Sequence, residues 1–117
     1  MARNPVTLGI VGARRGSSFA RSALSGLDGR VQLTSVCDID PGVLAQWRRE
    51  HPDLAYYQSY EQFLAHANVD AVVLSTPLQL HAPQALQALA AGKHVLSEVI
   101  AATTLDECWA LIAAVRR

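Results

Sequence analysis

LGIVGARRGSSFA, residues 8–20, is an apolar run that ends on a glycine, crosses a short polar loop and resumes at a spacing suited to a helix. A strand that turns at Gly12 straight into a helix aims the helix's free N–H groups and positive dipole end past the strand tip, where an anion such as phosphate is favoured. Gly12 suits that turn because it has no Cβ. In the G-x-G-x-x-G pattern of such turns the glycines would fall at 12, 14 and 17. Here Gly12, Arg14 and Ser17 stand there, beside Arg15 and an out-of-phase Gly16. Ser17 is small enough for close helix packing. Arg14 either swings out to meet a phosphate or obstructs the site. One match in three also leaves open an ordinary strand-to-helix turn with solvated arginines. The expectation adopted is a phosphate-facing turn altered at its middle position.

Outward from this stretch the chain alternates. Val6–Val11 reads as a buried strand, and Phe19, Ala20, Ala23, Leu24 and Leu27 as one face of a helix that Ser17 or Ser18 caps. Val31–Asp38 is a β-branched second strand. Asp40 then caps a helix with Pro41 in its first turn and Val43, Leu44 and Trp47 inside. Ala55–Tyr57 is a short third strand, followed by Ser59 and Gln62 at capping-box spacing before Phe63 and Leu64. Ala71–Ser75 lacks alternation and is expected to be covered on both faces. A helix carrying Ala82, Ala85, Leu86, Leu89 and Ala90 ends at Gly92, and His94–Ser97 is the fifth strand. Thr104 and Glu107 open a last helix, whose core face is expected at Leu105, Cys108, Trp109, Ile112 and Val115.

Short connections between parallel strands require right-handed crossovers. The predicted fold is therefore α/β, one domain over residues 1–117: a doubly wound parallel sheet in order 3-2-1-4-5, with helices on both faces and a crevice at the strand tips. Ten basic and ten acidic residues cancel, and with no basic block nucleic acid is not an expected partner. The pairs Arg48-Arg49 and Arg116-Arg117 read as solvated helix ends. Cys37 and Cys108 sit far apart in apolar contexts and are expected to be reduced core thiols of a cytoplasmic protein. There is no apolar signal-peptide core and no run long enough to span a bilayer, so no membrane partner is expected. His51, His66, His81 and His94 show no ligand spacing, so no metal site is expected.

The polar residues fall at strand ends. Asp38 closes the second strand, where a carboxylate can accept both hydroxyls of an adenosine ribose and repel a 2′-phosphate. Because Asp40 fills the capping role, Asp38 is expected to be free for that. Ser75, Thr76 and Pro77 leave the fourth strand, Thr76 offering a hydroxyl, and His81 lies near the next helix start. Glu98 ends the fifth strand.

Taken together, LGIVGARRG, VCDIDP, STPLQLHAPQALQALAAGKHVLSEV and TTLDECWAL resemble the N-terminal domain of the glucose-fructose oxidoreductase / inositol dehydrogenase (Gfo/Idh/MocA) family. The resemblance covers nearly the whole chain and is most specific from Thr76 to Glu98. It implies a Rossmann domain that binds NAD, with NADP disfavoured by Asp38, followed by a larger domain that holds a sugar- or polyol-like substrate for hydride transfer. It implies that Gly12, Arg14, Arg15, Gly16 and Ser17 face the pyrophosphate and Asp38 the ribose. Ser75, Thr76, Pro77 and His81 would line the middle of the cofactor, and Glu98 would lie near the nicotinamide.

Two departures stand out: Arg14, and Val99-Ile100 where the family reads Lys-Pro after the glutamate. Val99 cannot ionise, so no catalytic residue is assigned in this chain. Catalysis is expected to need the family's absent C-terminal domain. The alternative is a non-catalytic nucleotide-binding or assembly module. A methyltransferase also places an acid after the second strand, but Thr76-Pro77 and GKHV do not belong to its pattern. The chain is expected to be cut at a domain boundary, and to form a homo-oligomer through the side that such a cut leaves open.

Overall fold

The computed structural model describes residues 4–14, 25 and 29–117. The expected helix on Phe19 to Leu27, with its cap, lies outside the described residues. Five parallel strands form one sheet: β1 (Val6–Val11), β2 (Val31–Cys37), β3 (Ala55–Tyr57), β4 (Ala71–Leu74) and β5 (His94–Ser97), in the order β3-β2-β1-β4-β5. This is the order read from the sequence. Four helices are described: α1 (Pro41–Glu50), α2 (Tyr60–His66), α3 (His81–Ala90) and α4 (Leu105–Val115), with a 3₁₀ turn at Leu78–Leu80 before α3.

The helices begin where local chemistry starts them. Asp40 accepts from the Gly42 amide ahead of α1, and Ser59 from the Gln62 amide ahead of α2. Thr104 and Glu107 close a reciprocal capping box on α4. Gly92, at φ +78°, takes the chain out of α3.

Side chains alternate across the sheet and meet helices on both sides. On one face Val11, Cys37, Val72 and Leu74 pack with Phe63 of α2 and Ala85 and Ala88 of α3. On the other, Ile10, Leu33, Val36 and Val73 meet Leu44 and Trp47 of α1. β4 is thus buried on both faces, as its unbroken apolar run predicts. Burying a side chain as large as Phe63 stabilises the fold by roughly 1.5–3 kcal/mol. Its ring occupies the space above Gly9: a Cβ there would fall on the ring and 2.9 Å from Ser35 Oγ.

Two expectations are corrected. The last helix turns Glu107, Leu111 and Ala114 toward the domain, where Leu111 packs on the α2/α3 side of the core. The stripe read as its core face is exposed: Leu105 71%, Trp109 63%, Ile112 43% and Val115 69%. Amphipathic spacing identifies an apolar face but not what that face meets. Cys108 shares the outward side and is exposed, whereas Cys37 is buried as expected.

Candidate nucleotide-binding cleft

Register brings the strand tips level. Val11 lies opposite Cys37 on one side and Leu74 on the other, and Leu74 lies opposite Ser97. The residues just beyond are tied laterally: Gly12 N donates to Cys37 O at 2.9 Å, Ser75 N to Val11 O at 2.8 Å and Glu98 N to Leu74 O at 3.0 Å. Gly12, Asp38, Ser75 and Glu98 therefore stand in one row. The crossovers leave in opposite directions from β1 and β4, and the crevice of an open α/β sheet forms at that switch point.

A cleft of about 620 Å³ occupies this place. Gly12, Arg14, Asp38, Ser75, Thr76, Pro77, His81 and Glu98 all border it. Arg15, Gly16 and Ser17 lie outside the described residues. Gly12 has φ +90°, and a Cβ on it would come within 2.6 Å of Ser75 O and 2.9 Å of Thr76 N. Only glycine fits where the two chains come this close. Beside it the Ser75 hydroxyl is buried without a hydrogen-bond partner among the described residues. An orphaned buried hydroxyl carries a desolvation penalty that a polar ligand can relieve.

Asp38 is more engaged than the sequence suggests. Its Oδ2 accepts from Ala13 N at 2.9 Å and its Oδ1 from Asp40 N at 2.9 Å, so it braces the β1 turn against the β2 tip. Each oxygen keeps acceptor capacity for a ribose hydroxyl. Arg14 swings outward and pairs with Asp40 at 2.6 Å, side chains 74% and 39% exposed. Hydrogen bonding from the Gly42 amide, with help from Arg14, holds the Asp40 carboxyl below the usual carboxylate range. Burial, reinforced by the charge of Asp38, pushes the Cys37 thiol up to about 12, so it is no nucleophile.

These features decide the comparison with known proteins. A family model, the GFO_IDH_MocA oxidoreductase family with an NAD-binding Rossmann fold, matches residues 6–117. The chain belongs to this oxidoreductase family. It is 36% identical over 117 aligned positions to a glycosyl hydrolase family 109 protein of Shewanella pealeana, covering 92% of this chain and 25% of that protein. The WlbA dehydrogenase of Bordetella pertussis, solved with NADH and UDP-GlcNAcA, superposes with a TM-score of 0.85 at 32% identity, over 94% of this chain and 33% of that one. The scyllo-inositol dehydrogenase of Lactobacillus casei, solved with NAD(H) and scyllo-inositol, gives 0.87 at 25% identity, over 96% and 33%. The chain thus spans a quarter to a third of the length of these relatives.

Within this Gfo/Idh/MocA frame the β4 exit is a closed hydrogen-bonded unit. The Thr76 hydroxyl donates to Gln84 Oε1 at 2.6 Å, and the Tyr60 hydroxyl donates to Gln84 O at 2.6 Å. The Thr76 hydroxyl, expected to face the crevice, donates to α3, and Thr76 and Gln84 both border the cleft. His81 is 1% exposed. Its Nε2 lies 2.7 Å from Thr76 O and its Nδ1 2.7 Å from Ile100 O, and the tautomer sets which contact carries the N–H. His81 therefore bolts the β4 exit to the loop after β5. Glu98 borders the far end of the cleft, next to Val99, which is 84% exposed. The Val99–Ile100 peptide is cis.

Sequence reasoning missed the apolar lips of the cleft, Ile39 on one side and Leu78 and Leu80 on the other, exposed by 83%, 50% and 39%. The available signal was a lone isoleucine between two acids in DIDP, and two leucines in an otherwise polar exit. Tyr60 and Gln84 gave no local signal, because their role depends on α2 and α3 meeting in space.

Proposed function

We propose that this chain is the nucleotide-binding domain of an oxidoreductase acting on a sugar- or polyol-like substrate, and that NAD lies in the cleft at the tips of β1, β2 and β4. The observation that carries the reading is the Gly12–Ser75 crossing. The Gly12 backbone, at positive φ, comes against that of Ser75 beside a buried hydroxyl unpartnered among the described residues, at the topological switch point. The residues fit a dinucleotide. Gly12 lets the β1 turn lie close against the β4 exit at the cleft, Asp38 presents acceptors for the ribose hydroxyls, and Ile39 and Leu78 offer apolar surface to a flat base. Arg15, Gly16 and Ser17 are assigned to the pyrophosphate by resemblance. Asp38 favours NAD over NADP.

Bound nicotinamide supplies hydride transfer. This chain's part is to hold the nucleotide and to present Glu98 and the open edge at Val99 to whatever carries the substrate. The sugar ligands of the two dehydrogenases and the glycosyl hydrolase name of the Shewanella relative support a carbohydrate-like substrate. Val99 cannot perform the proton transfer that a lysine at position 99 would perform, so another group has to supply it. Val99 also favours a second reading, a nucleotide-binding module without catalysis.

Titration of NADH into the folded chain, followed by fluorescence or calorimetry, tests the binding claim. Saturable binding in the micromolar to millimolar range is expected. No binding at millimolar cofactor in a chain shown to be folded overturns it. Activity in a full-length protein that keeps valine at position 99 would exclude the non-catalytic reading.

A further inference from the structure

The corner where β1 and β2 end holds three charges in one hydrogen-bonded chain. Asp38 is fixed by the amides of Ala13 and Asp40, and Asp40 is fixed through Oδ1 by the amide of Gly42. Arg14 hangs on the exposed end of this chain, its Nη2 on Asp40 Oδ2 at 2.6 Å and its side chain 74% exposed. Among the described residues bordering the cleft it is the one arginine or lysine.

We propose that the Arg14–Asp40 pair is a specificity element: by holding Arg14, Asp40 withholds the cation that a ribose 2′-phosphate would need. This rests on the reading that the cleft takes a nicotinamide dinucleotide, and it adds a second discriminator to Asp38. An arginine near the end of the second strand is the usual device for accepting a 2′-phosphate. Here Arg14, from the turn after β1, reaches the same corner, but one of its guanidinium nitrogens is engaged by a carboxylate anchored in a helix cap. A 2′-phosphate arriving at this corner meets two carboxylates and one neutralised guanidinium, a net charge of −1 from these three groups. With Asp40 neutral, the same guanidinium becomes a bidentate phosphate donor and the corner has no net charge. An adenosine with a free 2′-hydroxyl carries no charge there and is little affected by the switch.

Calorimetric titration of NAD⁺ and NADP⁺ into the 117-residue chain tests this, reading the ratio of the two dissociation constants. Asp40→Asn keeps an oxygen to cap α1, and Asp40→Ser provides a second capping residue should the first fail to fold. Either variant is expected to lower the preference for NAD⁺ roughly tenfold, the change one added charge-assisted hydrogen bond brings. Adding Arg14→Gln is expected to restore the preference, and raising the salt concentration to shrink the effect, because the pair is exposed. An unchanged ratio in the folded Asp40 variants, or a gain that survives Arg14→Gln, overturns the inference while leaving NAD binding intact. Absence of NAD⁺ binding in every folded variant overturns the cofactor reading and this inference with it.

Discussion

Replacing Gly12 by alanine tests the geometry on which the cleft depends. Two penalties combine at this position. An L-residue in left-handed backbone is disfavoured by about 1–2 kcal/mol, and Gly12 sits at φ +90°. The added methyl also lands 2.6 Å from Ser75 O, 2.7 Å from Ser75 C and 2.9 Å from Thr76 N. These are backbone atoms at the exit of a strand buried on both faces, so no side-chain rotation relieves the overlap. Forcing a methyl into filled space costs a further ~1–3 kcal/mol. The sum, roughly 2–5 kcal/mol, is a large share of the ~5–15 kcal/mol that holds a domain folded. With a urea m-value of about 2 kcal/mol/M the unfolding midpoint should fall by roughly 1–2.5 M.

Gly92 supplies the control, because it has φ +78° and nothing within 4 Å of a built Cβ. Gly92→Ala should therefore show only the backbone part, about 1–2 kcal/mol. Equal losses for the two substitutions would refute the claim that β1 and β4 cross in contact at Gly12. Where Gly12→Ala remains folded, its NADH affinity should drop at least tenfold, because relief of the overlap moves the two tips apart.

His81→Ala should lower stability by about 2–4 kcal/mol in a urea titration, since it opens a cavity and strips the partner from Thr76 O and Ile100 O; an unchanged midpoint would show that the ring joins nothing. A disulfide-exchange reagent should titrate one thiol quickly in the native chain and two in denaturant, because Cys108 is exposed while burial keeps Cys37 protonated. Asp70 and Glu107, held by the amides of Thr7 and Thr103, and Asp40, held by Gly42, all have lowered folded pKa values. Their contribution is complete above the unfolded carboxylate range and lost as pH falls through the folded values, so stability should be level above about pH 5 and decline below about pH 4, less steeply in Asp70→Asn. The chain should self-associate at high concentration through the outer face of α4, and a Leu105→Glu, Trp109→Glu double variant should sediment as a smaller species; a strictly monomeric wild type would contradict this.

Most of the fold was legible because its signals are local. Asp40, Ser59 and Thr104 start helices through bonds to amides two or three positions on, and Gly92 ends one by its own backbone angle. The cleft was legible in outline because parallel strands that finish level place their next residues in a row. What escaped depends on residues distant in sequence. Gly9 is required by the ring of Phe63. Asp38 is engaged by Ala13, 25 positions away, which the nearby capping residue Asp40 gives no reason to expect. The orientation of α4 escaped for another reason: an apolar stripe at 105, 109 and 112 has the same periodicity whether it meets its own sheet or another surface.

The two departures from the family pattern share a physical setting. Arg14 has a side chain 74% exposed, and Val99 is 84% exposed, at opposite ends of the cleft. The groups that shape the cleft between them are buried: Ala13 at 1%, Ser75 at 4% and His81 at 1% exposure, with the Gly12 backbone against Ser75. A substitution at the rim leaves the packing of the tips untouched, whereas one at the floor moves a strand. The cradle is therefore tied to stability and the rim is not. A chain built this way can change a rim residue such as Arg14 or Val99 without losing the fold that shapes the cleft. Floor and rim are separable in this domain: Gly12→Ala should damage stability and affinity together, whereas changes at Arg14 or Val99 should alter selectivity or reaction in a chain that melts as the wild type does.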